Sequence, residues 1–121
     1  MPEELFAARL DAATYANDDD GVDVYEVGAA DRDSLWLSGR LFRRLTGVAA
    51  AYELHTLPML AGFEPVRLNR VQCESLLDEL GFVADRLNDP LATQTAQQIA
   101  DYVSVRTRRL GWDGSVCFDC D

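Results

Sequence analysis

Residues 69–111 read NRVQCESLLDELGFVADRLNDPLATQTAQQIADYVSVRTRRLG, and two helices are written into them. Leu76, Leu77, Leu80, Val83, Ala84 and Leu87 recur at three- and four-residue spacing, with Glu74, Asp78, Glu79 and Asp85 on the other side. That is the period of a helix with one face in a core and one in water. Asn69 followed by Gln72 fits the reciprocal cap that opens such a helix. Asp89-Pro90 then starts a second helix. Aspartate accepts from the free N–H groups, and proline fits the first turn, where its missing N–H has no partner to lose. Ala92, Ala96, Ile99 and Val103 line one face of it. Arg106, Arg108 and Arg109 crowd its last turn, where the helix dipole favours cations, and Gly111 stops it. Only a few residues join the two, which predicts an antiparallel pair packed face to face.

Working upstream, Val66-Arg67-Leu68 reads as a short strand, and residues 58–65 as a loop punctuated by Pro58, Gly62 and Pro65. Residues 52–57 suit a strand; the alanine-rich residues just before them suit a helix. Asp31 or Asp33 is placed to cap a helix that runs to about Thr46, with Leu35, Trp36, Leu41, Phe42 and Leu45 as its apolar residues and Gly47 as its stop. Residues 22–27 alternate apolar and polar, the period of a half-buried strand. Before them come an acidic loop, residues 17–21, and a helical pattern over residues 3–16 carried by Leu5, Phe6, Arg9, Leu10 and Ala13. Downstream, Asp113-Gly114 makes a turn into a last strand, residues 115–118. The expected fold is α+β: about four helices packed on one face of a small, mostly antiparallel sheet of three or four short strands. No repeat or linker divides the chain, so residues 1–121 are expected to form a single globular domain.

Composition bounds what such a domain does. The apolar fraction of 48% is ordinary for a globular protein. A chain of this length buries roughly two thirds of its extended surface. The net charge is −10, unevenly spread: residues 1–33 carry −8, residues 34–112 carry +1, and residues 113–121 carry −3. A nearly neutral body with acidic ends repels nucleic acid and anionic membrane and attracts basic proteins. All eleven basic residues are arginine. No apolar run approaches the ~20 residues of a membrane span, and the start lacks a leader's basic and apolar regions, so the expected location is cytoplasmic.

Few residues invite chemistry. Cys117-Phe118-Asp119-Cys120 is a CxxC spacing, and with Cys73 and His55 it supplies the four ligands that tetrahedral zinc requires. Nothing in the wider spacing groups these four, so no cofactor is expected; zinc through them is the alternative. A redox role wants the CxxC at a helix N-terminus, where the thiolate is favoured; here Asp119 and Asp121 oppose it. Asp18, Asp20 and Gly21 match part of a calcium-binding loop, but Ala16 and Val27 occupy its first and twelfth positions. Gly28-Ala29-Ala30 lacks the spacing of a phosphate loop.

With no catalytic constellation, the chain reads as a small acidic protein-binding module rather than an enzyme. It would inhibit a basic partner protein, as an immunity protein or an antitoxin does. The contact candidates are Asp18, Asp19, Asp20, Asp23 and Glu26 around the first strand, Asp119 and Asp121 at the other acidic end, and Phe63 with Glu64 in the 58–65 loop. Complementary charge would speed and select that association. The alternatives are a small zinc-binding or thiol-dependent enzyme using the CxxC, and an adaptor or assembly subunit.

Overall fold

A computed structural model describes residues 21–28, 34–62 and 64–120. The expected helix over residues 3–16 and the acidic loop after it lie outside them. Four strands and four helices follow in the order β1 (Gly21–Glu26), β2 (Ser34–Ser38), α1 (Gly39–Ala51), α2 (Thr56–Met59), β3 (Val66–Leu68), α3 (Arg70–Ala84), α4 (Pro90–Thr107) and β4 (Val116–Cys120). The sheet order is β2-β1-β4-β3 and every pairing is antiparallel. This is the α+β architecture the sequence predicts.

Register sorts the strand residues onto two faces, because side chains alternate along a strand. Val22 lies opposite Leu37 and Cys120, Val24 opposite Leu35 and Phe118, and Leu68 opposite Val116. These residues share one face and one core with Leu41, Phe42, Leu45 and Ala49 of α1, Leu57 of α2, Leu76, Leu80 and Val83 of α3, and Ala92, Ala96, Ile99 and Val103 of α4. All four described helices therefore lie on that side of the sheet. The α3 and α4 start signals are present as read. Asn69 Oδ1 accepts from Gln72 N at 2.9 Å while Gln72 Oε1 accepts from Asn69 N at 3.0 Å. Asp89 caps α4 through Leu91 N.

The region between β1 and α3 differs from expectation. Residues 34–38 are a strand, not the first turns of a helix. Ser-Leu-Trp-Leu-Ser alternates, and a neighbouring strand was there to pair with it. Ser38, rather than Asp31 or Asp33, caps α1, its Oγ accepting from Leu41 N at 3.4 Å. Gly47 does not stop α1, which continues to Ala51. The helix ends in a Schellman turn, with Leu54 N donating to Ala49 O and Glu53 N to Ala50 O. Glu53 takes the left-handed conformation there, at φ 60°. That turn and α2, one helical turn containing Pro58, replace the expected strand over residues 52–57 and the start of the expected loop.

Gly47 sits exposed within α1, and a Cβ added there would meet nothing within 4 Å. Gly47→Ala is expected to stabilise the protein by about 1 kcal/mol, since alanine restricts the unfolded chain and favours the helix. Urea denaturation checks this through a higher midpoint at unchanged slope.

Candidate partner-binding face

The second face of the sheet carries the other half of each strand. Across it run two rows of directly opposed residues. One is Trp36–Asp23–Asp119, on β2, β1 and β4; the other is Ser34–Tyr25–Cys117–Arg67, on β2, β1, β4 and β3. No described helix covers these rows. Asp23 and Asp119, far apart in sequence, thus stand opposite each other, and like charges in that position disfavour the pairing. Trp36 is 42% exposed. Its indole lies over the backbone of Gly21, so close that a Cβ at residue 21 would collide with the ring. A side chain at residue 21 would displace the Trp36 ring from this position. In the second row the Tyr25 phenol neighbours the Cys117 thiol. That contact raises the phenol's pKa above its ordinary 10.0; burial and the Asp119 charge raise it further, and the Arg67 charge opposes them.

Two acids from distant parts of the chain, Asp23 and Asp119, meet on this face. Val22 lies opposite Cys120, so β1 begins where β4 finishes. In sequence, Asp18, Asp19 and Asp20 come immediately before Gly21, and Asp121 immediately after Cys120. The placement of those four, and of Phe63, lies outside the described residues. Glu64 is described and exposed, two residues ahead of β3.

Glu26 belongs elsewhere. It shares the core-side parity of Val22 and Val24 and lies opposite Val116. Its carboxylate accepts from Trp112 Nε1 at 2.9 Å and Arg109 Nη1 at 3.0 Å, and stands 3.2 Å from Arg106 Nε. Tyr102 Oη accepts from its backbone N–H at 3.0 Å, while the Arg106 guanidinium stacks 3.5 Å over the Tyr102 ring. The Trp112 bond first, then Arg109 and the Arg106 charge, hold the Glu26 carboxyl below its ordinary pKa of 4.5 against the opposing effect of burial. Its charge therefore joins β1 to the end of α4 rather than facing outward. The arginine clusters are drawn to the chain's own acids: Arg106 and Arg109 to Glu26, and Arg44 to Asp89 at 3.5 Å. Arg70 adds another tie from α3, donating to Thr107 O at 3.0 Å and Trp112 O at 3.2 Å.

The CxxC does not act as a unit. Residues three apart on a strand point to opposite faces; Cys117 lies beside Tyr25, while Cys120 contacts Leu60 O at 3.8 Å on the helix side. Cys73 is buried under β3 with its thiol directed at Leu68 O at 3.6 Å, and burial pushes its pKa up to about 11. His55 is the residue before α2. Among the described residues no three His, Cys, Asp or Glu side chains stand together as metal ligands, and no helix is long and apolar enough to cross a membrane. No protein-family model, curated protein or solved structure matches the chain.

Sequence reasoning missed one buried acid entirely. Glu79, assigned to the solvent side of α3, is 8% exposed and accepts from Thr56 N at 2.9 Å and Leu57 N at 2.7 Å. It caps the start of α2 from another helix. The available signal was its position, three residues after Leu76 and four before Val83, at the rim of the apolar stripe.

Proposed function

We propose that this protein is a small acidic binding module that inhibits a basic partner protein, in the manner of an immunity protein or antitoxin. The observation that carries this reading is the juxtaposition of Asp23 and Asp119 on a sheet face that no described helix covers. There they oppose each other beside the exposed Trp36 ring. A tryptophan offers the large apolar contact that anchors many interfaces. Carboxylates around it steer a cationic partner and reject an anionic one. The internal pairing of Arg44, Arg106 and Arg109 supports the same reading, because it keeps those cations from offering an anion site.

The test compares the wild-type chain with the double variant Asp23→Asn/Asp119→Asn, each tagged and recovered from its own host at low salt. A stoichiometric basic companion is expected with the wild type. Both substitution and raised salt should weaken the complex, by about tenfold or more for the double variant. Recovery of no basic companion, or of one held equally well by the double variant and at high salt, overturns the proposal.

A further inference from the structure

The two edges of the sheet are built differently. β3 carries Arg67 and is preceded by Glu64-Pro65. Charge and proline are the devices that keep an edge strand from pairing with another chain. β2, the opposite edge, is Ser34-Leu35-Trp36-Leu37-Ser38, with no charge and no proline. It also reads the same in both directions. Antiparallel pairing of two copies about a twofold axis at Trp36 sets Ser34 opposite Ser38, Leu35 opposite Leu37 and Trp36 opposite its own copy. An isologous interface needs that self-complementarity. The alternation survives the operation. Leu35 and Leu37 meet along the core face, which they already share with Val24 and Val22, and the two Trp36 positions stand opposite each other on the face that no described helix covers.

We propose that the β2 edge is a homodimer interface, joining two four-stranded sheets into one antiparallel sheet of eight. The self-complementary order of β2 selects a second copy as the occupant. Two chains of net charge −10 repel each other, so self-association requires a contact that sets no acid against an acid. β2 supplies that contact, and places the half-buried Leu35 and the 42% exposed Trp36 in it. This inference does not rest on the acidic-binder reading, and salt separates the two. Screening strengthens a dimer of like-charged chains, whereas it weakens a complex with a basic protein.

Sedimentation equilibrium of the full chain from micromolar to near-millimolar concentration tests the proposal, with hydrogen exchange followed over the same range. The expected result is a reversible dimer that tightens with salt and whose β2 amides gain protection as it forms. Trp36→Lys places two like charges opposite each other at the twofold axis and should weaken the dimer by about tenfold or more. If that variant does not fold, concentration-dependent protection of β2 in the wild type decides alone. A chain that stays monomeric throughout overturns the proposal. So does a dimer whose β2 amides remain unprotected, or one that a folded Trp36→Lys chain forms equally well.

Discussion

Glu26→Gln is expected to lower stability by about 3 kcal/mol near neutral pH, with a fall in Tm of about 10 °C. The side chain keeps its shape, so no cavity confuses the result. What changes is charge. Arg106 is 4% exposed in its side chain, and the Glu26 carboxylate is its ion-pair partner at 3.2 Å. Removing one member of a buried pair costs about 3–5 kcal/mol where the other charge is left uncompensated; Arg106 keeps other contacts, among them its bond to Tyr102 O at 2.9 Å. The low end of that range applies because Glu26 keeps 16% exposure and Arg109, its other cation, is 47% exposed and returns to water freely. Part of the loss is local: the Trp112 Nε1 bond at 2.9 Å weakens when its acceptor becomes neutral. Urea denaturation at neutral pH measures the difference; a loss below about 1 kcal/mol would mean that the pair is worth no more than a surface ion pair.

The same network fixes a pH dependence of definite sign. The folded Glu26 carboxyl titrates below 4.5, its ordinary value. A group depressed on folding stabilises the protein fully above its unfolded pKa, and that contribution disappears as pH falls through the folded value. The wild type should therefore lose stability faster than Glu26→Gln as the solution is acidified below about pH 4.5. The gap between the two closes in acid, which distinguishes an electrostatic role from a packing role for this side chain.

The elements most legible in the sequence were those whose signals are local. The caps Asn69–Gln72 and Asp89-Pro90 sit beside the helices they open, and the helical period over residues 76–87 and 92–103 needs no distant partner to be seen. β2 was misread for the opposite reason. Leu35, Trp36, Leu41, Phe42 and Leu45 satisfy a helical period if residues 34–46 are taken together. What divides them is the pairing of Trp36 with Asp23 and of Leu37 with Val22, which is a long-range fact. The opposition of Asp23 and Asp119 is hidden in the same way, because register between distant strands cannot be read along the chain. Two features were nonetheless written locally. Parity places Glu26 with Val22 and Val24, so an acid at that position already pointed toward the core. Parity also separates Cys117 from Cys120 once residues 116–120 are a strand, which removes chelation by the CxxC alone.

Glu79→Ala is expected to cost about 3 kcal/mol, a loss out of proportion to its assigned place among the surface acids of α3. α2 has only four residues, and His55 ahead of it gives no side-chain cap. Its first two N–H groups rely on one carboxylate, at 2.9 Å from Thr56 and 2.7 Å from Leu57. Truncation leaves both donors buried, and each buried donor left unpaired costs about 1–3 kcal/mol. Thr56 retains its side-chain contact to Ser75 at 3.1 Å, so the segment has a second attachment to α3 and should loosen rather than detach. Glu79→Gln separates capping from charge. The amide oxygen can still accept from one N–H, while its NH₂ confronts the other, so about half of the loss should return. Hydrogen exchange at Thr56 and Leu57 is the discriminating measurement. If Glu79 acts as the cap, these amides lose protection more than the core amides of α3 and α4 in Glu79→Ala, and one of the two regains it in Glu79→Gln. Uniform loss across the whole core would instead assign the effect to global packing, and would leave the position of α2 to Leu57 and Leu60 alone.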